Sequence, residues 1–244
     1  MVVRKNRKLF SNLKALEETF FNQVSGLMRP RDTPWRMLSK VLTHLEQYVG
    51  DARIPWPENA HSACLPGSDE HTLANRGVDN AKGSIESFGS LHVRGGKGLK
   101  TDEDTQILGP VILGSGVKIR KGAVITGPCL IGDGVTIGVG CRIKHSILMP
   151  GSEVRFGTRL SYSIIGRRVR IGDSLISEEE SWDKAWHPWS DQLPRVGFFA
   201  GDDSWIGAGC VISSGVVLRR GTRVKEGSRL AEEEYKGLVG GRRT

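Results

Sequence analysis

The stretch that decides the fold is ILGPVILGSGVKIRKGAVITGPCLIGDGVTIGVGCRI, residues 107–143. A branched aliphatic residue returns here at every sixth position: Ile107, Leu113, Ile119, Ile125, Ile131, Ile137 and Ile143. With some steps of five residues, the series continues through Leu148, Val154, Leu160, Ile165, Ile171 and Ile176. A small or β-branched residue stands two positions before each of them. This period excludes an amphipathic helix, whose apolar residues return every three or four positions, and predicts short strands separated by turns.

Three such hexads make one triangular coil, and coils are stable only when stacked on one another. The pattern stops after Ile176 and resumes at Ala200, Ile206, Ile212, Leu218, Val224 and Leu230. We therefore predict an all-β solenoid, a parallel β-helix of hexapeptide repeats over residues 105–230. Residues 177–196 are extruded from it as a loop, and residues 231–244 form a short C-terminal helix and a tail.

The first 50 residues carry helical rather than strand periodicity. One stripe consists of Phe10, Leu13, Leu16, Phe20 and Val24, and a second of Trp35, Leu38, Val41, Leu42, Leu45 and Tyr48. Pro34 suits the first turn of the second helix. We predict an N-terminal helical hairpin over residues 1–50, with apolar faces that must pack on the coil. Residues 51–104, which are rich in Pro, Gly and short polar residues, are predicted to connect the two parts irregularly.

The extruded loop reads SEEESWDKAWHPWSDQLPRV. Ser177 followed by Glu180 fits a capping box, which predicts one or two helical turns. Trp182, Trp186 and Trp189 then lie three and four residues apart on one side. Two interpretations stay open: the indoles fix the loop to a coil, or together with His187 they border a ligand cleft.

Side chains alternate across a strand, so the residue before each inward aliphatic points outward. One outward face is apolar throughout: Ile112, Leu130, Ile147, Ile164, Phe199 and Val217. A strip of this size does not stay exposed on a soluble monomer. Either the N-terminal helices cover it or identical subunits meet there, which would give a homotrimer and make these six residues its interface.

The other two outward faces are basic. One of them carries Arg142, Arg159 and Leu175. The other carries Arg170 and Arg223, and an ion pair is predicted there between Glu153 and Arg170. The net charge of +8 also favours anionic partners. The candidate binding residues for a phosphorylated or nucleotide-linked small molecule are Arg142, Lys144, Arg159, Trp182, Trp186, Trp189 and Arg195.

Composition narrows the class of protein. No apolar run is long enough to span a bilayer and the N-terminus lacks the apolar stretch of a signal peptide, so we expect a cytoplasmic protein without a membrane partner. Cys64, Cys129, Cys141 and Cys210 lack metal-ligand spacing, and we expect no metal site. The last three occupy inward small positions, which predicts buried thiols.

Hexads of this kind resemble the left-handed β-helix family, which includes trimeric acyl-CoA-dependent acyltransferases. A closer resemblance is to the C-terminal part of sugar-1-phosphate nucleotidyltransferases, in LGPVILG at 108–114, GPCLIG at 127–132 and SIIG at 163–166. The resemblance implies left-handed coils. No nucleotidyl-transfer domain precedes the repeat, so this chain alone is not expected to transfer nucleotides.

The acetyltransferase branch of that family carries a His before Leu-Ser/Thr-Tyr as general base. This chain has Leu160-Ser161-Tyr162, but Arg159 precedes it. If residues 146–166 are aligned without gaps instead, Phe156 takes the place of the His, and either register removes the base. His145, at a shortened corner, and His187 remain for proton transfer. The resemblance favours His187 as the catalytic base, because acyltransferases of this fold often carry the base on a loop.

Two functions remain open. The favoured one is a transferase of sugar or nucleotide-sugar metabolism that moves an acyl group from acyl-CoA, as co-substrate, to an amine or hydroxyl, with no covalently bound cofactor. The alternative is a non-catalytic scaffold or regulatory relative that docks a separate nucleotidyltransferase chain. Nucleic acid is not expected as a partner, because the arginines are dispersed and no nucleic-acid motif is present.

Overall fold

The computed structural model of the protein describes residues 33–50, 61–62, 93–95, 97–181 and 195–231. The predicted helix from Phe10 and the predicted C-terminal helix lie outside these residues. Within them the chain forms one helix, α1 (Pro34–Gly50), followed by short strands. This helix is not long and apolar enough to cross a membrane.

The strands follow one another in steps of about one third of a coil. They are β1 (His61–Ser62), β2 (Val93–Gly95), β3 (Lys100–Thr101), β4 (Gln106–Leu108), β5 (Val111–Leu113), β6 (Lys118–Ile119), β7 (Val124–Thr126), β8 (Cys129–Ile131), β9 (Thr136–Ile137), β10 (Arg142–Lys144), β11 (Ile147–Leu148) and β12 (Glu153–Val154). The second half contains β13 (Arg159–Ser161), β14 (Ile164–Ile165), β15 (Arg170–Ile171), β16 (Ile176–Ser177), β17 (Glu180–Ser181), β18 (Arg195–Val196), β19 (Phe199–Ala200), β20 (Trp205–Ile206), β21 (Val211–Ile212), β22 (Val217–Leu218), β23 (Arg223–Val224) and β24 (Arg229–Leu230).

Every third strand of the coil pairs in parallel with its counterpart in the next coil, which gives three long sheets. We name their outward surfaces. The covered face belongs to β2, β5, β8, β11, β14, β19 and β22; the Arg142 face to β4, β7, β10, β13, β16, β21 and β24; the Trp205 face to β3, β6, β9, β12, β15, β20 and β23. The predicted all-β solenoid is confirmed.

The core runs along the axis of the solenoid. Ile125, Ile143 and Leu160 stack in register in successive coils and are at most 1% exposed. Cys129, Cys141 and Cys210 are buried free thiols, as predicted. Burial raises the pKa of Cys129 to about 12 and that of Cys141 to about 11, so these thiols act as small apolar side chains.

One inward assignment is wrong. Ile176 was predicted to point into the core, but it stacks on Arg159 and Val211 and is 42% exposed. Leu175, which was assigned outward, is fully buried instead, and Ser177 stacks inward beside Ile212. The step after Ile171 is therefore a full hexad with serine at its inward position.

The parallel ladder begins before residue 105. Val93–Gly95 pairs with Val111–Leu113, and Lys100–Thr101 pairs with Lys118–Ile119. Leu99 and Thr101 are buried in this first coil. Gly95 and Thr101 stand where later coils have Leu113 and Ile119, so the aliphatic signal of the repeat is missing there.

Helix α1 lies on the covered face. Its apolar side chains Met37, Leu38, Val41, Leu42 and Leu45 form one buried cluster with the strip predicted from the sequence: Ile112, Leu130, Ile147, Ile164, Phe199 and Val217. The Trp35 ring lies 6.2 Å from that of Phe199. The chain's own helix thus covers the strip that was assigned to an oligomer interface, and these side chains are not a free surface for a second copy. The homotrimer stays a prediction.

The extruded loop begins and ends as a β-ribbon rather than as a helix. Glu180–Ser181 pairs antiparallel with Arg195–Val196. Ser177 lies in a strand and its hydroxyl contacts Ser161 and Ser163 in the neighbouring coil. The capping-box interpretation is therefore wrong at its first residue, because the ladder of the solenoid continues through Ser177.

We expect the contact between α1 and the covered face to contribute strongly to stability. Leu38→Ala removes a fully buried side chain and should lower the free energy of unfolding by about 2–5 kcal/mol, measured by urea denaturation. Thr43→Ala, on the exposed side of the same helix, is the control and should change it by less than about 0.5 kcal/mol. Equal stability of Leu38→Ala and wild type would show that α1 does not pack there in solution.

Candidate functional site

The most unusual corner of the solenoid joins the Arg142 face to the covered face at His145 and Tyr162. Both residues have positive φ angles, 46° and 47°, at corners shortened to five residues. Their backbone amides donate to the coil below, from His145 to Thr126 and from Tyr162 to Lys144, both at 3.0 Å. Their rings stack on each other with centroids 4.7 Å apart. This left-handed backbone costs a bulky residue roughly 1 kcal/mol, and the ring contact offsets part of that cost.

The imidazole of His145 is uncharged at neutral pH. Burial lowers its pKa most, the positive charge of Lys144 lowers it further, and Glu179 opposes both effects, which leaves the pKa at about 4. His145 is one of the two histidines predicted to be available for proton transfer, and that role stays a prediction. A group with this pKa is, however, a weak base at pH 7.

Glu179 joins two of the predicted binding residues. Its Oε1 accepts a hydrogen bond from Nη1 of Arg195 at 2.7 Å and lies 3.9 Å from Nζ of Lys144. Nζ of Lys144 also lies 5.7 Å from the ring centroid of Tyr162. The second oxygen, Oε2, is buried and has no hydrogen-bond partner. One carboxylate therefore positions two cations beside the His145 corner, and the group keeps a net positive charge.

The preceding residue, Glu178, ties the same segment to the next coils. It accepts hydrogen bonds from Ser213 Oγ at 2.6 Å and from Nη2 of Arg229 at 2.9 Å. The two glutamates at the start of the loop thus fix its root to the Arg142 face. Neither glutamate was among the predicted site residues, because the segment after Ser177 was interpreted as the start of a helix.

Arg142 and Arg159 lie side by side on this face. They occupy matching positions of β10 and β13, and both are exposed. Among the described residues neither makes an ion pair or a side-chain hydrogen bond, and their outer neighbours in the ladder are Val124 and Ile176. Strands in a sheet are about 4.8 Å apart, so the two guanidinium groups repel each other in the absence of an anion.

The predicted ion pair between Glu153 and Arg170 is wrong, although the two residues are in register. Glu153 instead accepts a hydrogen bond from Nε of Arg155 at 3.2 Å. Glu153 and Arg155 are two residues apart in the chain and meet within one coil, whereas a pair with Arg170 would join two coils.

His187, Trp182, Trp186 and Trp189 lie outside the described residues, and their roles stay predictions. Both ends of the loop are described: β17 and β18 leave and rejoin the solenoid next to Tyr162, where the amide of Gly197 donates to the Tyr162 carbonyl at 3.0 Å. No group of three or more His, Cys, Asp or Glu side chains within the described segments is arranged to hold a metal ion.

Residues 107–181 match the family model of the GMPPB C-terminal domain. This match confirms the resemblance to the C-terminal β-helix part of sugar-1-phosphate nucleotidyltransferases and supports the left-handed hexapeptide-repeat β-helix. It ends at Ser181, where the loop leaves the solenoid.

No curated protein matches the chain. Among solved structures, one from Bacillus cereus described as a "putative acetyltransferase" is similar, with 19% sequence identity and a TM-score of 0.37. The match covers 63% of this chain and 87% of that one.

The lowered pKa of His145 makes stability depend on pH. Between pH 6.5 and about 4 the unfolded chain binds a proton at this residue and the folded chain does not. The stability contributed by the neutral ring is therefore complete above pH 6.5 and is lost as the pH falls towards 4. We expect the free energy of unfolding of wild type, relative to His145→Asn, to decrease over this range in urea titrations. Asn tolerates the backbone angle. Parallel pH profiles of the two proteins would contradict the pKa assigned here.

Proposed function

We propose that this chain is a hexapeptide-repeat transferase that binds a phosphorylated or nucleotide-linked small molecule on the Arg142 face, with acyl-CoA as donor. The observation that carries the proposal is the pair Arg142 and Arg159, which stand in register, exposed and without counter-charges among the described residues. A phosphate group between them would replace repulsion by two charge-assisted contacts.

The root of the loop extends this basic surface. Lys144 follows Arg142 on the same strand, and Arg195 returns from the loop beside it through Glu179. Four cations and one carboxylate then lie along one edge of the face. Acyl-CoA carries several phosphates, and a nucleotide sugar carries a diphosphate. Both ligands fit this excess of positive charge.

The reaction requires one proton acceptor. The acceptor nitrogen or oxygen attacks the thioester carbon and forms the new acyl bond, the base takes its proton, and the CoA thiolate leaves and is protonated. His187 is our candidate base, because the loop that carries it starts and ends beside Tyr162. His145 is the described alternative, and its low pKa makes it the weaker base.

A non-catalytic function remains the second candidate. The position where the related acetyltransferase branch has its base is held here by Arg159 or, in the gapless register, by Phe156, and neither residue type serves as a general base. A scaffold or regulatory protein that docks a separate nucleotidyltransferase chain needs no such base.

The test begins with ligand binding. We expect acetyl-CoA to raise the melting temperature of the full chain by mass action. Replacing both arginines, in Arg142→Ala/Arg159→Ala, should weaken acetyl-CoA binding by about a hundredfold, at roughly tenfold for each lost charge-assisted contact. Arg120→Ala is the matched control: this arginine is similarly exposed but lies elsewhere, 3.6 Å from Asp102, and its loss should leave binding unchanged.

The same panel separates the two candidates. Acetyl transfer that disappears in His187→Ala, with unchanged acetyl-CoA binding, supports the transferase. A response to nucleotide sugars but not to CoA or acetyl-CoA rejects acyl transfer and favours the regulatory protein. Co-purification of an intact sugar nucleotidyltransferase would point the same way.

A further inference from the structure

A second surface, on a different sheet, has the composition of a ligand site. An open groove of about 540 Å³ crosses the Trp205 face and is lined by Gly151, Arg168, Arg170, Asp203, Trp205 and Arg223. None of these residues belongs to the Arg142 face, and none is among the site residues predicted from the sequence.

The centre of the groove is a ladder of three side chains. Arg170, Trp205 and Arg223 occupy matching positions of β15, β20 and β23. Trp205 is 39% exposed, and both arginines are exposed. In the described parts of the chain neither guanidinium makes an ion pair or hydrogen bond, and no cation lies over the indole. The aromatic surface and the two charges are therefore available to a ligand.

One wall of the groove is formed by Arg168 and Asp203, whose side chains are paired. Asp203 accepts hydrogen bonds from Nε of Arg168 at 2.7 Å and from Nε of Arg220 at 3.0 Å, and both pairs are also ion pairs. Burial alone raises the pKa of Asp203, but these two arginines outweigh it and lower the pKa. Among the described residues that line the groove, Asp203 is the one carboxylate. It is already paired with Arg168 and Arg220 and does not neutralise Arg170 or Arg223.

At this wall of the groove, two residues with side chains adopt the left-handed backbone that glycine adopts in the neighbouring coils. Arg168 and Asp203 have φ angles of 53° and 61°, whereas the same corner has glycine in the coils on either side, at Gly151 and Gly221. A side chain at this angle costs roughly 1 kcal/mol. The strain is present in two consecutive coils, and the side chains of both residues line the groove, where glycine would provide none.

These features select the chemistry of the ligand. An exposed indole offers a flat surface for stacking a planar ring, at about 1–3 kcal/mol per nucleic-acid base in other proteins. Arg170 and Arg223 stand on the strands to either side of Trp205, and neighbouring strands are about 4.8 Å apart. Their long side chains can therefore reach phosphates attached to that ring through a ribose. A ligand without an aromatic ring would not use Trp205, and one without negative charge would leave both arginines unpaired. We propose that this groove binds a nucleoside diphosphate, with the base on Trp205 and the phosphates on Arg170 and Arg223.

A second copy of the chain fits the groove less well. Trp205 is the only large apolar side chain exposed among the described residues that line it. A protein interface at this place would bring together several arginines of two chains that each carry a net charge of +8. Repulsion between them opposes association.

The experiment measures ligand binding in the groove of the Trp205 face, separately from binding at the Arg142 face. All titrations use the full chain with Arg142→Ala/Arg159→Ala as background, so that binding at the Arg142 face does not contribute and failure of the proposed function leaves this test intact. ADP and inorganic pyrophosphate are titrated by calorimetry. We expect Trp205→Ala to weaken ADP by about tenfold and pyrophosphate by less than twofold, because pyrophosphate has no ring to stack.

Arg170→Ala and Arg223→Ala should each weaken both ligands by about tenfold and reduce the dependence of affinity on salt. Arg120→Ala should change neither. Because Trp205, Arg170 and Arg223 are exposed, the melting temperatures of these variants should stay near that of the background. Absence of ADP binding in the background protein, or equal ADP affinity in Trp205→Ala, would overturn the proposal. So would a lower molecular mass of Trp205→Ala in light scattering, since the groove would then be a contact between copies.

Discussion

The structure depends on one constraint: every inward side chain of a coil must fill the space between the same position in the coils above and below. Ile143 packs between Ile125 and Leu160, and the backbone of its strand bonds to both neighbours at once. A shift of one residue would turn an entire strand inside out. This constraint explains why the period of six is kept over so many coils. It also explains why residues at the outward positions are free to carry charge.

The same stacking imposes a left-handed backbone at the corners, which glycine adopts at least cost. Side chains occupy six such positions in the described residues: Asp104, His145, Tyr162, Arg168, Ser174 and Asp203. Four of the six form two consecutive pairs, His145 with Tyr162 and Arg168 with Asp203. Each pair borders one of the two proposed ligand surfaces. Backbone strain tends to persist where the surrounding structure uses the side chain, so these corners distinguish the two faces from the regular part of the solenoid.

The period of six predicts the solenoid and most of its inward positions, and it is wrong only where an inward residue lacks aliphatic character. Hydrophobicity alone does not reveal three inward positions, which are occupied by Gly95, Thr101 and Ser177. As a result, Ile176 was assigned inward in place of Ser177, and the first coil was not recognised. The capping box at Ser177 is a local signal, and the ladder overrides it because Ser177 contributes to two coils at once. The sequence also offered two equally sound covers for the apolar strip. Only the position of α1 distinguishes them, since helix and subunit would bury the same side chains.

Side-chain partners were harder to predict than strand positions. Register correctly placed Glu153 beside Arg170, yet the carboxylate pairs with Arg155, because long side chains at a strand end reach several cations and the closest one is set by rotamers. In the candidate site, too, strand positions were easier to predict than side-chain partners. The ladder positions of Arg142 and Arg159 followed from the repeat, whereas the Lys144–Glu179–Arg195 group depends on how the loop leaves the solenoid. Because α1 packs on the covered face, the Arg142 face and the Trp205 face are the two sheet surfaces that stay open in the described structure. Among the described residues, Arg142 and Arg159 on the first face, and Arg170 and Arg223 on the second, make no ion pair, and this excess of unpaired positive charge is what favours anions as the proposed ligands.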